Sequence, residues 1–169
     1  MNNIILIGMP ASGKSTVGVI LAKVTGRDFV DTDLLIQKKT GRRLPEIIEA
    51  RGVDGFLAVE NDVCASLDAE NAVIATGGSA VYGREGMANL KRLGTVVYLA
   101  VGREQLRRRL RDIRGRGVVL RDGQSLDDLF DEREPLYEKY ADVTVRETGG
   151  TIEDTVAAVV KAQGALTNK

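Results

Sequence analysis

Five short apolar runs punctuate the chain, and longer stretches of helical periodicity separate them. "NIILI" (3–7), "DFVD" (28–31), "AVIAT" (72–76), "TVVYL" (95–99) and "DVTVR" (142–146) predict strands. "NIILI" and "TVVYL" show no polar alternation, the pattern of strands buried on both faces of a parallel sheet. Helices are expected at 14–25, 33–40, 44–68 with a break near Gly52, 85–93, 103–112, 125–139 and 151–166. In the last of these Ile152, Val156, Val159 and Val160 form an apolar stripe at helical spacing, which reads as core packing. Strand and helix in alternation predict an α/β fold, a parallel sheet with helices on both faces, in one domain spanning 1–169. The stretch 107–123, "RRRLRDIRGRGVVLRDG", breaks the pattern and reads as a surface loop following a helix.

Composition changes this picture mainly by exclusion. The 169 residues hold 24 Lys plus Arg against 24 Asp plus Glu, a balance that does not suggest a nucleic-acid or membrane surface. With no histidine in the chain, a His-based catalytic triad and a His-ligated zinc site are excluded. Cys64 is the one cysteine, cannot close an internal disulfide, and reads as a small core residue. The N-terminus carries no basic leader, and no window approaches the roughly 18 apolar residues of a membrane span, so a cytoplasmic protein is expected.

Chemistry enters with "GMPASGKST" (8–16), directly after the first apolar run. Gly8, Gly13, Lys14 and Ser15 match the spacing of a phosphate-binding loop. Bare backbone N–H groups and the start of the following helix together favour anions. Lys14 can bridge outer phosphates as a compact charge, and the Ser15 hydroxyl suits Mg²⁺, which takes few protein ligands. The loop therefore predicts a nucleoside triphosphate as ligand.

"DTD" closes the second predicted strand, and Asp31 and Asp33, two apart on an extended backbone, share a side. One carboxylate can approach Mg²⁺ while the other orients an acceptor hydroxyl, as in phosphoryl transfer. The plainer reading, that an Asp caps the next helix, accounts for one of them. "ATGG" (75–78) allows a ligand close to backbone N–H groups. Arg116 in the loop and Arg133 in "DEREPLY" are the arginines placed to meet transferring or substrate charge, and Pro135 is expected to end or bend that helix.

These pieces together resemble the shikimate kinase family, over nearly the whole chain. The matching residues are "GMPASGKST", "DTD" (31–33), "GRRLPEII" (41–48), Phe56 and Glu60 of "FLAVE", "ATGG", "VVYL" (96–99) and "EREPLY" (132–137). The resemblance implies a three-layer P-loop kinase fold with a five-stranded parallel sheet, a lid at about 109–123 and a monomeric habit. It implies ATP as co-substrate, held by Gly8, Ala11, Ser12, Gly13, Lys14, Ser15 and Thr16, with Arg109 on adenine and Mg²⁺ on Ser15 and Asp31. Lys14, Asp33 and Arg116 are implied to be catalytic. Asp33, Gly77, Gly78 and Arg133 are implied to hold a small hydroxylated carboxylate, with Leu57 and Ser79 at two further substrate positions.

Three departures fall on the acceptor side. The family has arginine after the phenylalanine, where this chain has Leu57, and Val53 replaces a glutamate of the same helix entry. A missing charged donor at an anion site costs on the order of 1.5–3 kcal/mol. Ser79 stands at the third glycine of a GGG, and "RGVV" (116–119) replaces Arg-Pro-Leu-Leu. The expectation that follows is a kinase of amino-acid biosynthesis whose acceptor is smaller than shikimate, homoserine first. Shikimate itself is the alternative, and a regulatory or pseudo-enzyme ATP-binding domain is the alternative of another class. Arg43 and Arg51 are the candidates to replace the missing charge.

Overall fold

Parallel pairing organises the apolar runs. The computed structural model describes residues 3–111 and 118–167. In it β1 (Asn3–Ile7), β2 (Asp28–Asp31), β3 (Ala72–Ala75), β4 (Gly94–Ala100) and β5 (Val143–Arg146) form one parallel sheet in the order β2-β3-β1-β4-β5. Every residue of β1 and β3 is buried, as continuous apolar runs require, while the edge strands β2 and β5 are partly exposed. Successive side chains of β1 divide between two layers. Ile5 and Ile7 join the larger apolar cluster with Met87, Leu90 and Tyr137, and Ile4 and Leu6 join Val17, Leu21, Val156 and Val159 on the opposite face. Each such fully buried aliphatic side chain contributes roughly 1.5–3 kcal/mol.

The helices are α1 (Lys14–Thr25), α2 (Thr32–Thr40), α3 (Leu44–Ala65), α4 (Arg84–Leu93), α5 (Arg103–Arg111), α6 (Leu126–Tyr140) and α7 (Ile152–Thr167). α3 breaks at Gly52, with φ 70° and ψ 178°, where the sequence placed its interruption. A third apolar cluster of Ile36, Ile47, Phe56, Val59, Val63 and Val119 fastens α2 and α3 together beside the sheet.

Three expectations change. α6 runs on through Pro135 to Tyr140, matching the expected helix at 125–139, so of the two effects expected of the proline it does not end the helix. The stretch 107–123 is not wholly a surface loop: its first residues complete α5, and Val119 is buried in the third cluster. Residues 112–117 of that stretch, Arg116 among them, lie outside the described residues. The stripe on α7 is narrower than the periodicity suggested, since Val156 and Val159 are buried while Ile152 and Val160 are each 43% exposed. Cys64 is a buried core residue as expected, and burial pushes its thiol up to about 12. No described helix is long and apolar enough to cross a membrane.

Candidate active site

The carboxyl ends of β1, β2 and β3 open into a cleft of about 440 Å³, the usual ligand position of an open parallel sheet. The loop after β1 lines one part of it from Pro10 to Thr16. Gly8 lets this loop pass against β4: a Cβ there would lie 2.7 Å from the Leu99 carbonyl oxygen. Ala11 takes a left-handed conformation (φ 62°), which turns its carbonyl to accept a hydrogen bond from Arg109 Nη1 at 3.2 Å. Lys14 is buried at the first residue of α1 and folds back over the loop. Its Nζ donates to the Gly8 and Met9 carbonyls, both at 2.8 Å, and to Ser12 Oγ at 3.3 Å. Burial lowers its pKa to about 8, against the opposing pull of Asp33.

The two aspartates divide their work. Asp31 Oδ1 accepts from the Asp33 backbone N–H at 2.9 Å and so caps α2, while its Oδ2 accepts from Ser15 Oγ at 2.7 Å. Helix capping therefore accounts for Asp31, and Asp33, two residues further, is left to face the cleft. Burial raises the Asp33 carboxyl to about 6, and the neighbouring Asp31 charge adds to the rise. Ser15, which lines the cleft, and Asp31 behind it thus bring two oxygen donors together, a donor set that suits Mg²⁺. No cluster of three or more acidic or cysteine ligands exists among the described residues.

The turn after β3 forms the acceptor end. A Cβ on Gly77 would lie 2.3 Å from Glu60 Oε1 and 2.9 Å from Asp33 Oδ1, so only glycine lets both carboxylates meet the same space. Behind Gly78 stands Arg133, 1% exposed, whose Nη1 would be 3.1 Å from a Cβ at that glycine. Tyr137, one helical turn beyond Arg133, donates its hydroxyl to the Gly78 carbonyl and stacks on Tyr98 with ring centroids 5.1 Å apart. Ser79 donates to Glu60 Oε2, and Glu60 Oε1 is buried with no hydrogen-bond partner among the described residues. Burial pushes Glu60 up to about 7, the Ser79 hydrogen bond partly opposing.

A raised carboxyl pKa means that the folded state holds this proton to higher pH than the unfolded chain. Stability therefore falls as pH rises from the ordinary 4.5 through about 7. Glu60→Gln is expected to give a higher Tm than wild type at pH 8, the gap closing as pH drops toward 4.5. Thermal unfolding across that range checks it.

The cleft brings together most of the residues singled out from the sequence: Ala11, Ser12, Gly13, Lys14, Ser15, Thr16, Asp33, Gly77, Gly78, Ser79, Arg109 and Arg133 line it. Gly8 and Asp31 support it from behind through the contacts above. Leu57 does not line it. On α3 the cleft-facing positions are Leu44 at its start and, beyond the Gly52 break, Phe56 and Glu60, four apart. Leu57, about 100° further round the helix, is half-buried against the third apolar cluster. Arg43 is exposed and paired with Glu46, Arg51 is exposed, and neither lines the cleft. Residues that sequence reasoning passed over are Tyr82, Tyr137, Val119 and Glu147. Glu147 lines the cleft and forms an ion pair with Arg109 that Gln105 braces at 2.7 Å. Only Tyr137 carried a signal, its i+4 spacing from Arg133.

A phosphate loop after the central strand, an acidic pair at the next strand end and a buried arginine across the cleft define a P-loop kinase. A family model described as Shikimate kinase matches residues 10–163. The shikimate kinase of Nitrosococcus oceani is 41% identical over 148 residues, covering 85% of this chain and 77% of the relative. That of Francisella tularensis subsp. novicida is 40% identical over 158 residues, covering 91% and 90%. The structure of shikimate kinase from Acinetobacter baumannii in complex with shikimate superposes with a TM-score of 0.82 at 37% identity, covering 100% of this chain and 95% of that one. The chain belongs to the shikimate kinase family, ATP-dependent phosphotransferases that act on a hydroxyl group.

Proposed function

We propose that this protein transfers the γ-phosphoryl group of ATP to a hydroxyl of shikimate, giving shikimate 3-phosphate and ADP. The observation that carries the reading is Arg133: a buried guanidinium, joined to no described carboxylate, facing the same cleft as Asp33. A buried cation with no carboxylate bonded to it favours an anionic ligand. An acceptor whose carboxylate meets Arg133 offers a hydroxyl to Asp33. The shikimate-bound Acinetobacter relative, alike over the whole length of the chain, favours shikimate over the smaller homoserine expected from Leu57. That expectation relied on Leu57 as an apolar wall of the pocket, and the side chain points elsewhere.

In this reading ATP occupies the phosphate loop, and Lys14 exchanges the Gly8 and Met9 carbonyls for the outer phosphates. Arg109, held by Ala11 and Glu147, lies where adenine is accommodated. Ser15 and Asp31 would hold Mg²⁺, which when bound would supply positive charge to the phosphate oxygens. Asp33 orients the acceptor hydroxyl and takes its proton, and little covalent chemistry is asked of the protein.

The test is ADP release with Mg-ATP and shikimate, homoserine or other small hydroxy acids. Shikimate turnover well above the others supports the proposal, and homoserine turnover above shikimate overturns it. Leu57 packs against the third apolar cluster and does not line the cleft, so Leu57→Arg adds its charge away from the acceptor. It is expected to leave the KM for shikimate and the KM for ATP essentially unchanged, as steady-state kinetics will show.

A further inference from the structure

The way Arg133 is held leaves one edge of its guanidinium open. Nε donates to the Tyr82 hydroxyl oxygen at 3.3 Å, and Nη2 donates to the Val119 carbonyl at 3.0 Å. Nε and one N–H of Nη2 lie along the same side of the planar fork, so that side is occupied. Nη1 lies against Gly78 at the cleft, where the Tyr137 hydroxyl, its own proton given to the Gly78 carbonyl, also meets the guanidinium. The open edge is therefore the end of the fork, Nη1 with the outer N–H of Nη2, which receives a carboxylate in two parallel hydrogen bonds.

Tyr82 does more than fill space. Its hydroxyl donates to Glu132 Oε1 while accepting from Arg133 Nε, and the guanidinium carbon sits 5.3 Å from the centre of its ring. A charge thus acts on Arg133 from Glu132 through the phenol, without a carboxylate occupying the guanidinium. Gln124 in turn donates to Glu132 Oε2 at 3.1 Å, so the segment carrying Val119 is tied to the same group at a second point.

We propose that Tyr82 is a positioning residue for the acceptor's carboxylate. It locks the side edge of Arg133 and relays the charge of Glu132, so that the end edge is turned to the cleft before the acceptor arrives. The proposal rests on Arg133 being the carboxylate site of the function proposed above, and the test separates the two.

Binding of shikimate and of its neutral carboxamide is measured by titration calorimetry in the presence of ADP, on wild type, Tyr82→Phe and Glu132→Gln. Wild type is expected to prefer the carboxylate. Tyr82→Phe, which keeps the ring and loses the hydroxyl, is expected to weaken shikimate binding about five- to tenfold, with carboxamide binding and the KM for ATP within about twofold. Glu132→Gln is expected to shift the same ratio in the same direction, and it carries the test if the tyrosine variant folds poorly. Equal weakening of both ligands, or no change in their ratio in either variant, overturns the role of Tyr82. A wild type that does not distinguish carboxylate from carboxamide overturns the Arg133 reading itself, and the proposal with it.

Discussion

Asp33→Asn is expected to lower kcat by about 10²–10⁴-fold while leaving the fold and ATP binding intact. The asparagine matches the aspartate in size, and the α2 cap belongs to Asp31 and needs only the backbone N–H of residue 33. What is lost is the acceptor of the hydroxyl proton. The wild-type pH profile gives an independent reading of the same group. Burial raises Asp33 to about 6 in the free enzyme, so the catalytically useful carboxylate disappears below that pH, and log kcat/KM for the acceptor is expected to fall with decreasing pH on that side. The variant has no such limb. A kcat within tenfold of wild type, or an acid limb persisting in Asp33→Asn, removes the residue from its role. Steady-state kinetics from pH 5 to 9 decide the point.

Lys14→Ala is expected to cost about 10²–10³-fold in kcat/KM for ATP, the loss seen when one preorganised donor to a developing charge is removed. Folding is expected to survive. The lysine is charged at neutral pH although burial has lowered its pKa to about 8, so the folded state bears a cost for holding that proton. The sign follows: stability contributed by this group rises as pH climbs from about 8 toward the ordinary 10.5, and the cost is present at pH 7. Truncation removes the cost together with the two carbonyl contacts. A normal far-UV spectrum beside lost turnover is therefore the expected pair of results. In wild type, kcat/KM for ATP is also expected to decline above about pH 8, where the free enzyme's Lys14 loses its proton. Retained ATP turnover in the variant excludes Lys14 from phosphate binding.

The two variants probe neighbouring opposite charges in one cleft, and the physics of that cleft explains why its charges are held in tension. Asp33, Glu60 and Lys14 are each pushed by burial toward the neutral form, and each is partly restored by an opposite charge. Ligands that bring phosphates to Lys14 and a carboxylate to Arg133 relieve the cations. In the proposed reading a metal at Ser15 and Asp31 would relieve the acidic side.

Local order was legible along the chain because it depends on near neighbours. The continuous apolar runs of β1 and β4 marked strands covered on both faces, Gly52 marked the break of α3, and the spacing from Gly8 to Ser15 marked the phosphate loop. Asp31 and Asp33 were legible as a pair. Their division into helix cap and cleft carboxylate was not, because it depends on which oxygen meets the backbone of α2 and which meets Ser15 across 16 residues of chain.

The acceptor end shows the same boundary more sharply. Leu57 stood out as a substitution, but whether a side chain on α3 looks into the cleft is set by the rotation of the helix against α2 and the third apolar cluster. No pattern of neighbouring residues reports that rotation. The orphaned oxygen of Glu60, the Ser79 hydroxyl that takes its partner oxygen, and the hold of Tyr82 and Val119 on Arg133 join residues 14 to 51 positions apart. Elements, their order and the chemistry of the phosphate loop followed from short-range periodicity and spacing. The facing of each side chain, its burial and the charge it meets came only with the packing of distant segments, since desolvation and Coulomb interaction act through space and take no account of separation along the chain.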